Sequence, residues 1–187
     1  MILVYHKISK CPLEGYVSLD AFKRQIMTRA YAESNAVYLD DYYPNTDQYC
    51  ITFDGVYEGI MPAVQWLAEH RIPFECFIIG SKIGKVNGLD VYAGRDMLDT
   101  AVDLGGRLQW KTATNPDTLD GKSLKKEFNW KKYFPNGRPP HFCWLAYPCG
   151  KIQARIPVEK EFDGAVAYEN GTDESLFSLS RITMHEE

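Results

Sequence analysis

Residues 51–57 read Ile-Thr-Phe-Asp-Gly-Val-Tyr, a short hydrophobic strand that ends in a single carboxylate, Asp54, followed at once by Gly55. Ligands of α/β folds bind beyond the carboxyl ends of the strands, so an aspartate there indicates a functional site. In the middle of the same strand it would be buried and would need a partner. Asp54 is therefore the first candidate functional residue. The alternative is that Asp54 caps a helix beginning near Tyr57, which is a common role for aspartate.

The composition indicates a globular protein with one core. The chain has 187 residues, of which 45% are hydrophobic, and a net charge of −4. A chain of this length can bury roughly 70% of its unfolded surface, so we expect a single domain over residues 1–187. The richest run of lysines, residues 122–132, is interrupted by Glu127 and by aromatic residues, which is typical of a helix with a solvated face. These features argue against a nucleic-acid partner.

The location of the protein is predicted from its cysteines and its N-terminus. The five cysteines are odd in number, widely spaced and without a Cys-x-x-Cys pair, which favours reduced thiols over a zinc site. Residues 1–6 are too short for the hydrophobic region of a signal peptide, and no apolar run approaches the length that spans a membrane. We therefore expect a cytoplasmic protein without a membrane span.

Hydrophobic bursts of four to eight residues alternate with longer amphipathic stretches, which predicts an α/β fold. The predicted strands are residues 2–5, 36–39, 49–53, 74–79, 106–110, 142–146 and 164–167. The predicted helices are residues 18–33 with Ser18 as N-cap, a helix from residue 60 that ends before Pro73, residues 95–103, and residues 119–133. Seven strands suit a closed barrel as well as an open sheet.

Several predicted strands end in polar or aromatic residues, and such ends meet at one edge of a parallel sheet. These ends are Tyr5-His6, Asp54, Lys111-Thr112 and Tyr147-Pro148-Cys149-Gly150. His6 is a possible proton carrier near neutral pH, and the alternative is a hydrogen-bonded spacer. No two histidines have the local spacing of metal ligands.

Five segments, taken in order, match the motifs of one enzyme family. They are Leu3-Val4-Tyr5-His6, Thr52-Phe53-Asp54-Gly55, residues 106–116, Ala146-Tyr147-Pro148-Cys149-Gly150 and Leu179-Ser180-Arg181-Ile182. Over nearly its whole length the chain resembles the NodB-like polysaccharide deacetylases, carbohydrate esterase family four. The resemblance implies a distorted (β/α)7 barrel. It also implies a divalent metal such as zinc, held by one Asp and two His, which activates water to remove acetyl groups from amino sugars or xylan.

The departures from the family concern the metal. In one alignment Asp54 stands at the catalytic base and Gly55 replaces the metal-binding Asp; with a shift of one residue, Asp54 stands at the metal ligand instead. Either way the two metal-binding histidines fall on Lys111 and Asn115. A bound metal lowers the pKa of water from about 15.7 to about 7, which one lysine cannot reproduce. We therefore expect no metal cofactor and almost no hydrolysis.

Lys111 suggests a replacement for the missing ion. Its ammonium group could occupy the cation position, pair with Asp54 and keep a buried carboxylate compensated. The alternative is that Lys111 points to solvent at the barrel rim. Aromatic faces suit sugar rings, so we expect some of the aromatic residues at the strand ends to bind substrate and the others to be core. The predicted substrate-binding residues are Tyr5, His6, Tyr57, Trp110, Asn115, Tyr147 and Pro148, with Trp144 as a further aromatic candidate.

Three functions remain open at this stage. The favoured one is a degenerate deacetylase-like domain of surface-polysaccharide metabolism that binds a glycan, or another protein of polysaccharide synthesis, without hydrolysing the glycan. The second is an active carbohydrate deacetylase with a non-standard site, using either metal ligands such as His6 and His141 or a metal-free pair of Asp54 and Lys111. The pair is weakened because a nearby Asp raises the pKa of a lysine. The third is a non-catalytic subunit that helps an active homologue, which predicts an exposed apolar patch.

Overall fold

A computed structural model describes residues 1–9, 15–31, 34–119, 123–137, 139, 141–152, 155–167 and 171–186. The strands are β1 (Ile2–Tyr5), β2 (Lys7–Ser9), β3 (Tyr16–Ser18), β4 (Asn35–Ala36), β5 (Gln48–Asp54), β6 (Phe74–Ile79), β7 (Val86–Asn87), β8 (Asp90–Val91), β9 (Gly106–Thr112), β10 (Trp144–Ala146), β11 (Gly164–Ala167) and β12 (Leu179–Thr183). The helices are α1 (Leu19–Tyr31), α2 (Met61–Glu69), α3 (Arg95–Asp103), α4 (Leu124–Glu127) and α5 (Arg155–Glu161). None of the described helices is long and apolar enough to cross a membrane.

Seven parallel strands form a closed barrel. Their order is β1, β12, β11, β10, β9, β6 and β5, and the pairing of β5 with β1 closes the ring. The predicted α/β barrel is therefore confirmed. The predicted N-cap is present, because the backbone N–H of Ala21 donates to Ser18 Oγ at 3.1 Å.

Strand alternation divides the core into two layers, because successive side chains of a strand point to opposite faces of the sheet. One cluster packs the outer face of the strands against the helices and includes Leu3, Tyr5, Ile51, Phe53 and Trp110. The other fills the barrel and includes Ile2, Cys50, Phe77, Trp144 and Val166. The residues between the outer ones therefore point inward, and on β5 these are Cys50, Thr52 and Asp54.

The end of the barrel opposite Asp54 is closed by a turn at residues 39–41. Leu39 is buried with the inner cluster, and its backbone N–H donates to the Glu75 carboxylate at 3.0 Å. Asp40 accepts hydrogen bonds from Arg107 at 2.8 Å and from the Trp144 indole at 2.6 Å. Burial raises the pKa of Glu75 to about 7, although hydrogen bonds from Gln109 and from the Leu39 backbone oppose it. Polar residues therefore occupy both ends of the barrel interior.

Two predicted elements are wrong. Residues 36–39 do not form a barrel strand: Asn35–Ala36 pairs only with β5, outside the ring, and the chain then turns inward at Leu39. The seventh barrel strand is β12 instead, which was identified only through the family motif. The predicted helix over residues 119–133 is α4 followed by a separate turn, Trp130–Lys132, and residues 120–122 lie outside the described part.

Candidate functional site

The carboxylate of Asp54 lies at the end of β5 inside the barrel and holds two side-chain cations. Arg181 on β12 donates from both terminal nitrogens, at 2.6 Å to Oδ1 and at 2.9 Å to Oδ2. Lys111 on β9 donates from Nζ to Oδ2 at 2.7 Å. The side chains of Asp54 and Arg181 are fully buried, and that of Lys111 is 6% exposed. Bidentate arginine–carboxylate pairs combine strength with a fixed geometry, so this cluster is rigid.

The barrel walls fix the arginine in place. Its guanidinium carbon lies 5.4 Å from the centre of the Phe77 ring, a cation–π distance. One terminal nitrogen also approaches Thr52 Oγ1 at 3.5 Å, and that hydroxyl donates to the Leu3 carbonyl at 2.8 Å. One carboxylate therefore joins three inward-facing strand positions: Asp54 on β5, Lys111 on β9 and Arg181 on β12.

The charges around Asp54 determine its protonation. Burial alone would raise the pKa of this carboxyl group, but Arg181 and then Lys111 outweigh it and hold the pKa well below its usual range. Asp54 is therefore an anion at every physiological pH. A carboxylate with so low a pKa is a weak base, and general bases work best with a pKa near the operating pH.

A cavity of about 270 Å³ opens above this cluster. It is lined by His6, Lys7, Asp54, Gly55, Tyr57, Ile79, Tyr92, Lys111, Asn115 and Cys149. Burial lowers the pKa of His6 from 6.5; Asp54 opposes this shift, whereas Lys111 and Arg181 add to it. The imidazole is therefore neutral at pH 7, and within the described residues its ring makes no hydrogen bond.

The loop after β9 carries Asn115 into the cavity wall. Its backbone N–H donates to Thr112 Oγ1 at 2.8 Å, and its φ of 55° lies in the left-handed region, where Asn is tolerated better than most residues. Glu127 holds the adjoining Thr114 through the backbone N–H at 2.8 Å and the hydroxyl at 2.7 Å. The Asn115 side-chain oxygen is buried and accepts no hydrogen bond from the described residues.

The opposite wall consists of two stacked tyrosines under a β-hairpin. The rings of Tyr57 and Tyr92 lie 4.3 Å apart, and their hydroxyls are hydrogen-bonded at 2.8 Å. Asn87 of the β7–β8 hairpin donates to Tyr57 Oη at 3.1 Å. At the rim, Lys7 pairs with Asp90 of the same hairpin at 2.7 Å.

The structure brings together five of the residues predicted from sequence: His6, Asp54, Tyr57, Lys111 and Asn115 all line the cavity. The roles assigned to them stay predictions. Asp54 does not cap a helix, because no side chain caps the helical turn after Tyr57. Lys111 does not point to solvent, since its ammonium group contacts Asp54.

Five expected substrate contacts need correction. Tyr5, Trp110 and Tyr147 are fully buried, and their polar atoms donate within the protein: Tyr5 to Gln25 at 3.0 Å, Trp110 to the Glu127 carbonyl at 2.8 Å and Tyr147 to the Phe177 carbonyl at 3.3 Å. Pro148 is buried as well, and its neighbour Cys149 lines the cavity in its place. Trp144 lies inside the barrel with its indole on Asp40, at the other end.

Sequence reasoning missed the role of Arg181, although the residue lies in a quoted motif. The available signal was alternation: in β12, Leu179 and Arg181 share one face, and Leu179 belongs to the inner cluster. A charged residue that shares the inner face of a barrel strand requires a buried partner of opposite charge. Asp54 was the candidate partner.

Comparison with solved structures identifies the fold. The chain superimposes on a polysaccharide deacetylase from Bacillus cereus with a TM-score of 0.76 at 16% identity, covering 99% of this chain and 63% of that one. The chain has the polysaccharide deacetylase fold. IcaB from Ammonifex degensii gives a TM-score of 0.78 at 16% identity over 98% of this chain and 91% of that one. The deacetylase PplD from Streptococcus pyogenes, in complex with acetate, gives 0.77 at 18% identity over 98% and 91%.

These likenesses are structural. No protein-family model matches the sequence, and no curated protein matches it. The chain spans less than two thirds of the length of the Bacillus cereus deacetylase, at 63%.

The residues present do not fit the divalent metal implied by the resemblance to the deacetylases. Among the described residues no group of three or more His, Cys, Asp or Glu could hold a metal ion. His141, the suggested substitute ligand, is exposed and does not line the cavity. Lys111 and Arg181 already contact the two oxygens of Asp54, so a metal ion there would meet like charge at hydrogen-bond distance. At the position where the family motif predicts a metal ion, the Asp54 carboxylate is therefore paired with two side-chain cations.

Proposed function

We propose that this protein binds carbohydrate in the cavity above Asp54 and has lost metal-dependent deacetylation, within the metabolism of a surface polysaccharide. The observation that carries the proposal is the pairing of both oxygens of Asp54 with side-chain cations, Arg181 and Lys111, at 2.6–2.9 Å. The carboxylate is thereby unsuited to either family role, as metal ligand or as catalytic base.

Each of these two roles fails for a physical reason. As a metal ligand, Asp54 would have to exchange a buried ammonium and a buried guanidinium for the metal, leaving both cations uncompensated. As a base, its lowered pKa gives it little affinity for a proton at neutral pH. In the family's reaction the metal activates water and acts as a Lewis acid at the carbonyl, and Asp54 paired with two side-chain cations supports neither step.

Carbohydrate binding is supported by the fold and by the lining of the cavity. The structural neighbours include a polysaccharide deacetylase and a deacetylase in complex with acetate. The cavity joins aromatic carbon surface from Tyr57 with hydrogen-bonding groups from His6, Lys111 and Asn115, a combination that suits a polyhydroxylated ring. A protein partner in polysaccharide synthesis belongs to the same proposal, and it would cover the two exposed apolar side chains of the hairpin beside the cavity, Val86 and Leu89.

The second candidate function is metal-free hydrolysis of an acetyl ester. The observation that favours it is the neutral, unbonded imidazole of His6 in the same cavity as the Lys111 ammonium. A neutral imidazole can act as a general base toward water. A lysine ammonium can stabilise developing negative charge on a carbonyl oxygen.

Two measurements on the purified protein separate these functions. Elemental analysis after dialysis against zinc, cobalt or nickel gives the bound metal, and an acetate assay measures release from a chitin oligosaccharide and from acetylated xylan. The deacetylase from Streptococcus pyogenes is the positive control. We expect no stoichiometric metal, no acetate release, and binding of a sugar that stabilises the protein in a thermal melt.

Other outcomes point elsewhere. Stoichiometric metal together with acetate release would overturn the loss of deacetylation. Acetate release without metal that disappears in His6→Gln would favour the ester hydrolase.

A further inference from the structure

The electrostatics of the cavity floor select the charge of the ligand. Two cations, Lys111 and Arg181, face one carboxylate, Asp54, and all three side chains are almost completely buried. The cluster therefore carries one excess positive charge at the bottom of a narrow cavity. Charges in clefts with low-dielectric walls are screened less than charges at the surface, so this excess acts on whatever enters.

Other charges near the cavity do not cancel this excess. Lys7 is paired with Asp90 at 2.7 Å, so the rim pair is neutral. His6 is neutral at pH 7, because burial lowers its pKa. Asp117 lies at the mouth, 3.8 Å from the thiol of Cys149, but it is exposed and screened by solvent.

Lys111 is the group through which the charge reaches a ligand. Its ammonium group has three donors, and among the described residues it donates one hydrogen bond, to Asp54. The same side chain lines the cavity, so the other donors are available there. Asn115 adds a complementary group: its buried side-chain oxygen lacks a donor from the described residues, and an unsatisfied buried acceptor gains from a ligand that donates to it.

We propose that the cavity is a receptor for the carboxylate of an acidic sugar, with the carboxylate on Lys111 and a sugar hydroxyl donating to the Asn115 side-chain oxygen. This inference rests on the proposed carbohydrate function and specifies its ligand. An ammonium donor and an unsatisfied acceptor in one cavity match a molecule that carries both an anion and hydroxyl groups. Uronic acids are sugars of this class.

The charge of the cavity argues against a phosphate ester, and its size favours a single sugar residue. One excess positive charge balances a monoanion, whereas a phosphate monoester brings about −1.5 to −2 at neutral pH and would be left undercompensated. The cavity of about 270 Å³ is smaller than the roughly 300–1,000 Å³ of sites for drug-sized ligands. Its volume suits one sugar residue.

Calorimetric titration at pH 7.5 with glucuronate, glucose and acetate tests the inference. Glucuronate and glucose differ in the carboxylate alone, and acetate carries the carboxylate without the ring. A charge-assisted hydrogen bond predicts that glucuronate binds about tenfold or more tighter than glucose. Acetate should bind more weakly than glucuronate, because it cannot donate a hydroxyl proton to Asn115.

Substitutions test whether Lys111 is responsible for the preference for glucuronate over glucose. Lys111→Met should abolish the difference between glucuronate and glucose, Lys111→Arg should retain it, and Lys125→Met, an exposed control on α4, should leave it unchanged. If Lys111→Met does not fold, the affinities of the three ligands for the wild-type protein and for Lys111→Arg still show whether the cavity prefers an acidic sugar.

The possible results distinguish failure of the acidic-sugar inference from failure of the proposed carbohydrate binding. Equal or tighter binding of glucose would overturn the acidic-sugar inference and leave carbohydrate binding intact. Binding of acetate as tight as that of glucuronate would also overturn it, because the ring would then contribute nothing. A preference for glucuronate that survives in Lys111→Met would refute the assigned contact. Absence of binding by every sugar would overturn both the inference and the proposed function.

Discussion

Replacement of Lys111 by methionine tests the cluster around Asp54 most directly. Methionine keeps most of the unbranched apolar stem of lysine and removes the ammonium group, so the change deletes the hydrogen bond of 2.7 Å to Oδ2 and one positive charge. The bidentate contact from Arg181 remains. The cluster then becomes a neutral pair, and Asp54 stays compensated.

The expected loss of stability depends on which charges of the cluster remain paired after each substitution. A charge-assisted hydrogen bond contributes about 1.5–3 kcal/mol, and removal of an excess buried cation offsets part of this, so Lys111→Met should destabilise the protein by about 1–2 kcal/mol. Asp54→Asn leaves two buried cations without a carboxylate and should cost about 3–5 kcal/mol. For a chain of this length 1 kcal/mol corresponds to a shift of about 2–4 °C in Tm.

The combination of the two changes gives the sharpest expectation. In the Asp54→Asn background Lys111 has lost its counter-charge, so Lys111→Met should there stabilise the protein. The same substitution thus has opposite effects in the two backgrounds, a sign change that loss of packing does not produce. Urea unfolding followed by circular dichroism measures all four proteins, and equal m-values establish that the unfolded states are comparable.

Lys125→Met provides the matched control, since this exposed lysine should change the free energy of unfolding by less than about 0.5 kcal/mol. Two results would refute the reasoning. One is destabilisation of similar size by Lys111→Met in both backgrounds, which would mean that the ammonium group acts through packing alone. The other is no effect in either background, which would place Lys111 in solvent.

Three further predictions concern protonation and packing. Burial raises the pKa of Glu75 from 4.5 to about 7, so between these values the folded state keeps a proton that the unfolded state releases, and stability should fall by up to roughly 3 kcal/mol as pH rises through this window. Glu75→Gln should flatten that slope in urea unfolding at pH 5, 6, 7 and 8. The His6 imidazole should titrate below 6.5 by NMR. Lys111→Met should raise this pKa, because the ammonium group disfavours imidazolium. An unchanged pKa would show that the charge of Lys111 does not act on His6. A Cβ on Gly164 would clash with the Trp144 ring, so Gly164→Ala should cost about 1–3 kcal/mol in the same unfolding assay, and a neutral result would show that the ring can move.

The fold was predictable where hydrophobic runs coincide with barrel strands. The run at residues 74–79 reads as a buried strand and forms β6 with the same bounds. Residues 36–39 carry a similar hydrophobic run, but the tertiary role of Leu39 inside the barrel replaces the strand with a turn. β12 shows the converse: its Ser180, Arg181 and Thr183 hide a barrel strand from any hydrophobicity pattern.

The site was predictable from strand ends but not from residue type. Strand alternation allows only one of two neighbours to face the barrel interior, so Trp110 and Lys111 cannot both line the cavity. The chemistry of an aromatic side chain carries no information about this period, so aromatic residues that are buried on the outer face were also predicted to bind the substrate. Arg181 was missed because its partner lies 127 residues away in the chain.

The charge of the cluster explains how a deacetylase fold persists without its metal ligands. Lys111 with Arg181 beside Asp54 leaves a net charge of +1 in a dry interior, whereas a divalent ion beside the two aspartates of the family motif would leave none. The barrel mouth of this chain therefore attracts an anion through the charge of its own side chains. The two arrangements differ in what only a metal offers: a bound water with a lowered pKa and a Lewis acid at the carbonyl. Under the proposed function, two side chains replace the ion and hydrolysis is lost, while the charge of the cluster still attracts an anion, so we expect binding of a carboxylate without catalysis.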